Sequence, residues 1–318
     1  MIIEQNENQI SLVNPTNQSR VDIDLAAGGL LTRFDVHVEN ELINIVKLPF
    51  SDRYPLASNP YHPSAVLTPW VNRVRNGNYS FEGRNYQLPI NEPNLGNAIH
   101  GLLARASFTV SASESTPNSA YVRISHSYLG DEKGYPFPFD FSIDYTFEKS
   151  GGLRVNFHSM NTGTVNMPFA CGWHPYFGFP GSTLEDLQIS FASKSRFLSD
   201  SQMIPLQEES FDRKEPISLG NEQLDHVFLL KPLANHRTEL HDTRRNISFY
   251  LEQSSIQFPY LVVFAPGDQD AVAIEPMTAN TDAFNTAEGL QVLAPGAQFD
   301  GEVYLWVGKA GQTTRKAK

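Results

Sequence analysis

From Phe141 to Glu148, apolar Phe141, Ile143, Tyr145 and Phe147 alternate with Ser142, Asp144, Thr146 and Glu148. That period of two is what a strand with one wet face requires. The pattern recurs. Leu153, Val155 and Phe157 alternate with Arg154, Asn156 and His158; Leu187, Ile189 and Phe191 with Gln188 and Ser190; Val303, Leu305 and Val307 with Tyr304 and Trp306. Turn formers separate such segments, among them Glu82-Gly83, Gly96-Asn97, Gly151-Gly152, Pro180-Gly181 and Pro266-Gly267-Asp268. With 21 Gly and 21 Pro there is little room for long helices. The chain reads as all-β, a large antiparallel β-sandwich. Its most apolar run, Phe258 to Pro266, is too short to cross a bilayer and reads as a buried strand.

At 318 residues two domains are affordable, yet no repeat, linker or charge run divides the chain, and one large sandwich over residues 1–308 is the simplest reading. Residues 309–318 turn polar and basic and read as a tail. A composition of 40% hydrophobic and 19% charged residues fits a chain that folds on a core of its own. The net charge of -11 repels phosphate backbones and anionic lipid, so neither nucleic acid nor a membrane is an expected partner. A single cysteine, Cys171, excludes an internal disulfide, and Met1 to Ile10 lack the basic start and apolar centre of a secretory signal. The expected location is the cytoplasm. Monomer and homodimer both stay open.

Two segments place a titratable side chain directly before proline. In Gly172-Trp173-His174-Pro175-Tyr176-Phe177 the proline biases His174 toward an extended backbone and hence a fixed side-chain direction. Imidazole titrates nearest neutrality, so a fixed histidine suits proton transfer, although the segment taken alone favours a structural histidine. In Ala271-Val272-Ala273-Ile274-Glu275-Pro276, Val272 and Ile274 face one way and Ala273 and Glu275 the other. A carboxylate ending so apolar a strand is a candidate base, its pKa raised by lost hydration, or simply a glutamate leaving the strand. Asn72-Arg73 precedes a hairpin-like stretch from Tyr79 to Tyr86, and Arg73 offers a fork of donors to sugar hydroxyls. Trp70, Trp173 or Tyr176 could cover the apolar face of a sugar, and His100 and Asp225 add a donor and an acceptor. There is no phosphate loop and no nucleophile elbow, and His236 with His241 lack the spacing and glutamate of a helical zinc motif, so no metal is expected.

Taken in order, these segments resemble the aldose 1-epimerase family, also called galactose mutarotases. Asn72-Arg73-Val74 followed by Gly77, Tyr79, Phe81, Gly83, Tyr86 and Leu88 resembles the family's Asn-Arg-Ile hairpin. Asn91 with His100-Gly101 resembles its Asn to His-Gly stretch, and Gly172 to Phe177 its second histidine motif. Asp225 in Leu-Asp-His-Val-Phe resembles its Asp-His segment, and Glu275-Pro276 with Asp282-Ala283 and Asn285 its Glu-Pro to Asp-Ala-x-Asn segment.

The resemblance implies a supersandwich and cofactor-free interconversion of α and β anomers of an aldose. It implies Glu275 as the group that takes the anomeric proton and His174 as the donor to the ring oxygen. Asn72, Arg73, His100 and Asp225 would bind the sugar. One departure stands out: Leu102-Leu103 follows His100-Gly101, where the galactose enzymes usually carry another glycine. The stretch His100 to Arg105 also resembles the hexose 6-phosphate epimerases, in which arginines meet a phosphate, and Arg75, Arg84 and Arg105 are candidates for that role. A sugar-binding module without turnover is the alternative from another class. A glycosidase would need a carboxylate pair, for which Asp225 and Glu275 are available.

Overall fold

The computed structural model describes residues 1–38 and 41–311, and its regular structure is nearly all strand. Among the described residues the one α-helical segment is Ala283–Thr286, a single turn.

Two nine-stranded sheets dominate. The first runs, in spatial order, Thr109–Ser115, Ser119–Tyr128, Phe139–Glu148, Leu153–Asn161, Gln298–Lys309, Ile247–Gln253, His236–Asp242, Leu187–Ser190 and Ile217–Ser218. The second runs Pro205–Ser210, Ser193–Ser199, Asp225–Leu230, Tyr260–Phe264, Val272–Met277, Gly172–His174 and Ala65–Leu67. Tyr176–Phe177 continues beside Val272–Met277 and pairs on its other edge with Val46–Lys47. Pairing in both sheets is antiparallel. A five-stranded meander from Ile2–Gln5 to Glu41–Asn44 packs against the body, with Phe34 edge-on to Phe147 at 6.1 Å.

The alternation read from the sequence becomes burial. Phe141, Ile143, Tyr145 and Phe147 are buried, while Ser142 and Thr146 between them keep partial contact with solvent. The two sheets meet through rings from each: Phe157 lies 6.0 Å from Trp173, and Phe177 lies 4.1 Å from Phe249. Val272 and Ile274 join the same core. Because side chains alternate along a strand, placing 173, 177, 272 and 274 in the core turns 174, 176, 273 and 275 to the opposite face. The run from Phe258 does form a buried strand, Tyr260–Phe264.

A local clamp positions the loops above that face. Asn78–Phe81 and Arg84–Gln87 form the expected hairpin, its turn made by Glu82 and Gly83 at φ of 47° and 76°. Ahead of it, Arg73–Val74 pairs with Ala98–Ile99. Asp282 ties this corner down: its N–H donates to the Arg73 carbonyl at 2.7 Å. Its carboxylate accepts from the Arg75 N–H at 2.9 Å and from Asn285 Nδ2 at 2.7 Å. Phe284 fills the space behind, 4.8 Å from the Tyr79 ring and 6.3 Å from Trp70. At the far end the last strand runs through Lys309, which pairs with Ile247, so the ladder passes the expected boundary at 308 by one residue. Residues 312–318 of the expected tail lie outside the described residues.

Asp282 is buried at φ 62°, a backbone that alanine resists. Asp282→Ala is therefore expected to cost about 2–3 kcal/mol in urea unfolding. Asp282→Asn, which keeps the acceptor and tolerates this backbone, should cost less than about 1 kcal/mol. Equal stability of all three proteins would remove the clamp from the account.

Candidate active site

The register of the second sheet brings the site together. Gly172 pairs with Met277, and Tyr176 with Ala273. The same antiparallel register sets His174 opposite Glu275. Glu275 pairs on its other side with Val262, and His174 with Ala65. One cross-sheet row thus reads Val227, Val262, Glu275, His174, Ala65, and the next reads Asp225, Phe264, Ala273, Tyr176, Lys47. Glu275 Oε1 and His174 Nε2 stand 3.4 Å apart, with residue exposures of 2% and 6%. Above them is a cavity of about 420 Å3 lined by both, and also by Asn72, Arg73, His100 and Asp225.

Loops supply the other wall. His100 and Asn72 flank the same end of the short ladder, at φ of 63° and 48°, and the His100 N–H donates to the Asn72 carbonyl at 2.8 Å. Such left-handed backbone in non-glycine residues is strained and aims both side chains at the cavity. Gly101 holds this turn against Thr68 so closely that a Cβ would meet the Thr68 carbonyl oxygen at 2.1 Å. Asn91 binds both backbone groups of Ile99, at 2.7 and 2.9 Å, and so fixes the strand that presents His100. Arg73 is gripped by Glu92 in a fork, Nε to Oε2 at 2.9 Å and Nη2 to Oε1 at 2.8 Å. The remaining edge of the guanidinium reaches Asn72 Oδ1 at 3.4 Å.

Lost hydration dominates the electrostatics. Burial pushes the Glu275 carboxyl well above the ordinary carboxylate range, Asp225 adds to the push, and Arg73 opposes it. Burial likewise drives His174 and His100 well below the usual imidazole value, and brings His62 down to about 4. The three imidazoles pack in a row, His62 to His100 at 4.8 Å and His100 to His174 at 5.2 Å. Asp225 stands at the mouth with its pKa raised, again by burial, with Arg73 opposing. Burial thus favours the neutral form of each group in the facing pair, a carboxylic acid beside an imidazole, which can supply a proton donor and a proton acceptor together. Among the described residues, no group of three or more His, Cys, Asp or Glu side chains is placed to hold a metal ion.

All six residues singled out from the sequence line this one cavity. Other readings need correction. Trp173 lies in the core against Phe157 because it alternates with His174, and Trp70 lies in the core against Phe284; of the three rings considered for a sugar face, Tyr176 alone lines the cavity. Of the three arginines considered for a phosphate, Arg75 is drawn off by Asp200 at 2.6 Å and Arg84 lies on the exposed hairpin, whereas Arg105 does line the cavity. Leu102 and Leu103 turn to the Thr68 carbonyl and the core instead of the cavity. Asp282 and Asn285 serve the clamp. Sequence reasoning missed Glu92 and His62. Glu92 carried no signal, but His62 stands before Pro63 as His174 stands before Pro175.

Comparisons with known proteins agree with this fold. The uncharacterized protein YihR of Escherichia coli K12 is 29% identical over 252 residues, 77% of this chain and 78% of its own length. The galactose mutarotase of Rattus norvegicus is 26% identical over 265 residues, 76% of this chain and 75% of its own. Among solved structures, a galactose mutarotase-like protein from Clostridium acetobutylicum superposes with a TM-score of 0.85 at 20% identity, covering 97% of this chain and 98% of its own. The galactose 1-epimerase from Lactobacillus acidophilus NCFM gives a TM-score of 0.78 at 17% identity with the same coverage. The sequence model of the aldose 1-epimerase family matches residues 8–306, nearly the whole length, and the chain belongs to that family.

Proposed function

We propose that this protein is an aldose 1-epimerase that interconverts the α and β anomers of an aldohexose, acting as one unit over residues 1–308. The observation that carries the reading is the facing pair, Glu275 and His174, 3.4 Å apart and withdrawn from solvent on the floor of a sugar-sized cavity. In the working form the pair is carboxylate and imidazolium. Glu275 takes the proton of the anomeric hydroxyl, the C1 to ring-oxygen bond breaks, and His174 delivers its proton to the ring oxygen. The open aldehyde now sits against a carboxylic acid and a neutral imidazole, the protonation state that burial favours. Rotation about C1–C2 presents the other carbonyl face. The C5 hydroxyl adds to C1 and returns its proton to His174, while Glu275 protonates the carbonyl oxygen. Charge and protons return to their starting places. Arg73, His100, Asn72 and Asp225 orient the hydroxyls, and the dry floor keeps water from competing for either proton.

A second reading has its own observation. Arg105 lines the cavity, with no hydrogen bond or ion pair to another described residue, which suits a hexose carrying a phosphate.

Three outcomes follow. Glu275→Gln should lower mutarotation of galactose and glucose, followed by polarimetry, by about 10²–10⁴-fold, while its melting temperature holds or rises because a buried acid is replaced by a neutral isostere. Undiminished rates in that variant would end the mechanism, whereas sugar binding by the wild type with no acceleration of mutarotation would favour a binding module. The acidic limb of the kcat/KM profile should lie well below 6.5, where an ordinary histidine titrates, because burial holds His174 down, and the basic limb should lie above the usual carboxylate range, because burial holds Glu275 up. An acidic limb at 6.5 would contradict a buried, neutral His174. If the phosphate reading holds, glucose 6-phosphate should exceed glucose in kcat/KM by at least about tenfold, and Arg105→Ala should abolish the difference; equal values for both sugars leave the neutral hexose.

A further inference from the structure

Glu92 is a charged side chain on the cavity wall with no part in the proposed proton transfers. It lines the cavity together with Arg73, and the two keep 18% and 17% of their side-chain surface exposed, so neither is sealed off from a ligand. Its carboxylate spans one edge of the guanidinium, accepting from Nε at Oε2 over 2.9 Å and from Nη2 at Oε1 over 2.8 Å. A guanidinium carries five N–H donors in one rigid plane. Glu92 takes one at Nε and one at Nη2, and Nη1 donates one to Asn72 Oδ1 at 3.4 Å, which leaves two for a ligand.

The carboxylate is itself held from behind. Its Oε2 accepts from Asn97 Nδ2 at 3.1 Å. The Glu92 N–H donates to the Asn97 carbonyl at 3.1 Å, and the Glu92 carbonyl accepts from the Gly96 N–H at 2.9 Å, so the loop closes on itself. Asn97 is fully buried and also donates to the Gln202 carbonyl at 2.9 Å, while Gln202 Nε2 donates to the Leu95 carbonyl at 3.0 Å. Arg75 in turn donates to Gln202 Oε1 at 2.7 Å. The turn around Gln202 braces the loop, and the loop braces Arg73. Arginine has a long, flexible side chain, and a ligand that must order it loses affinity in doing so. With Glu92 in place the guanidinium is ordered before any ligand arrives.

We infer that Glu92 is a positioning residue for sugar recognition: it fixes the Arg73 guanidinium in advance and leaves a pair of N–H groups, suited to two neighbouring hydroxyl oxygens, for the sugar to use. This rests on the reading of the cavity as a sugar site, and it gives a role to a residue outside the six already placed there. Glu92 touches no reacting atom and acts through Arg73, so its removal weakens the binding of substrate and transition state alike, which raises KM and spares kcat.

The test compares wild type, Glu92→Gln, Arg73→Gln and the double variant, beside Glu275→Gln. Glutamine keeps the shape of Glu92 but offers a donor where the fork needs an acceptor. Melting temperature, kcat and KM on galactose and glucose, and calorimetric binding of both sugars are measured on each. Glu92→Gln should melt within about 4 °C of wild type, with KM up about tenfold on at least one sugar and kcat within about threefold. In the Arg73→Gln background the same change should alter kcat/KM by less than about twofold, the non-additivity of a residue that acts through another. An equal loss in both backgrounds, a loss confined to kcat, or no loss in either overturns the inference, and with Glu275→Gln inactive the epimerase reading still stands. If wild type binds the sugars but does not equilibrate their anomers, the epimerase reading falls and binding decides the inference. About tenfold weaker binding by Glu92→Gln, with no further weakening in the Arg73→Gln background, then upholds it, and any other pattern overturns it. Failure of wild type to bind either sugar overturns it as well, as does failure of Glu92→Gln to fold, because the fork would then serve the fold.

Discussion

The antiparallel pairing of Gly172–His174 and Tyr176–Phe177 with Val272–Met277 is the constraint on which the site depends. It is a backbone contact between segments about a hundred residues apart, and it decides which side chains meet. With Gly172 on Met277 and Tyr176 on Ala273, an imidazole and a carboxyl face each other over a dry floor. A slip of one residue would send His174 and Glu275 to opposite faces. Trp173, Phe177, Val272 and Ile274 prevent the slip, because the same shift would drive them out of the core they share with Phe157 and Phe249. The hydrophobic core thereby sets the geometry of the facing pair from the opposite side of the sheet.

That geometry opposes stability locally. A carboxyl and three imidazoles are held where their charged forms are disfavoured, and Asn72, His100 and His62 sit at positive φ. His62 does so even though the proline after it favours extended backbone. Surrounding contacts impose these conformations: the Gly101 approach to Thr68, the Asn91 bonds to Ile99, the Glu92 fork on Arg73 and the Asp282 clamp. Strain at the cavity is opposed by ordered hydrogen bonds one step away from it.

Much of the fold was legible because alternation is a local signal. The strands around Phe141, Val155 and Leu187, the Glu82-Gly83 hairpin and the opposed faces of Ile274 and Glu275 can be read from a few neighbouring residues. The six cavity residues were legible through their order along the chain, which a family resemblance preserves. Pairing partners were not. Nothing in the neighbourhood of Glu92 says that it grips Arg73, and nothing near Asp282 separates a clamp from a sugar ligand, since both depend on contacts across the fold. Trp70 and Trp173 were misread for a related reason. An aromatic beside a motif residue looks available, but the period of two sends Trp173 to the core whenever His174 faces the cavity.

The cavity is built from two kinds of material. Its floor is sheet, locked by register on both sides of Glu275 and His174, whereas much of its rim, from Glu92 to Arg105 and around His62, is loop hung from the clamp. The facing pair shares its sheet with Asp225, whereas His100, His62 and Arg105 reach the cavity from loops. Under the proposed function, exchanges on the loop part of the rim, Arg105 foremost, would retune which sugar is admitted without disturbing the facing pair. For the engineer the same division marks where libraries belong: randomise the rim, and leave the row that runs through residues 262, 275 and 174 alone.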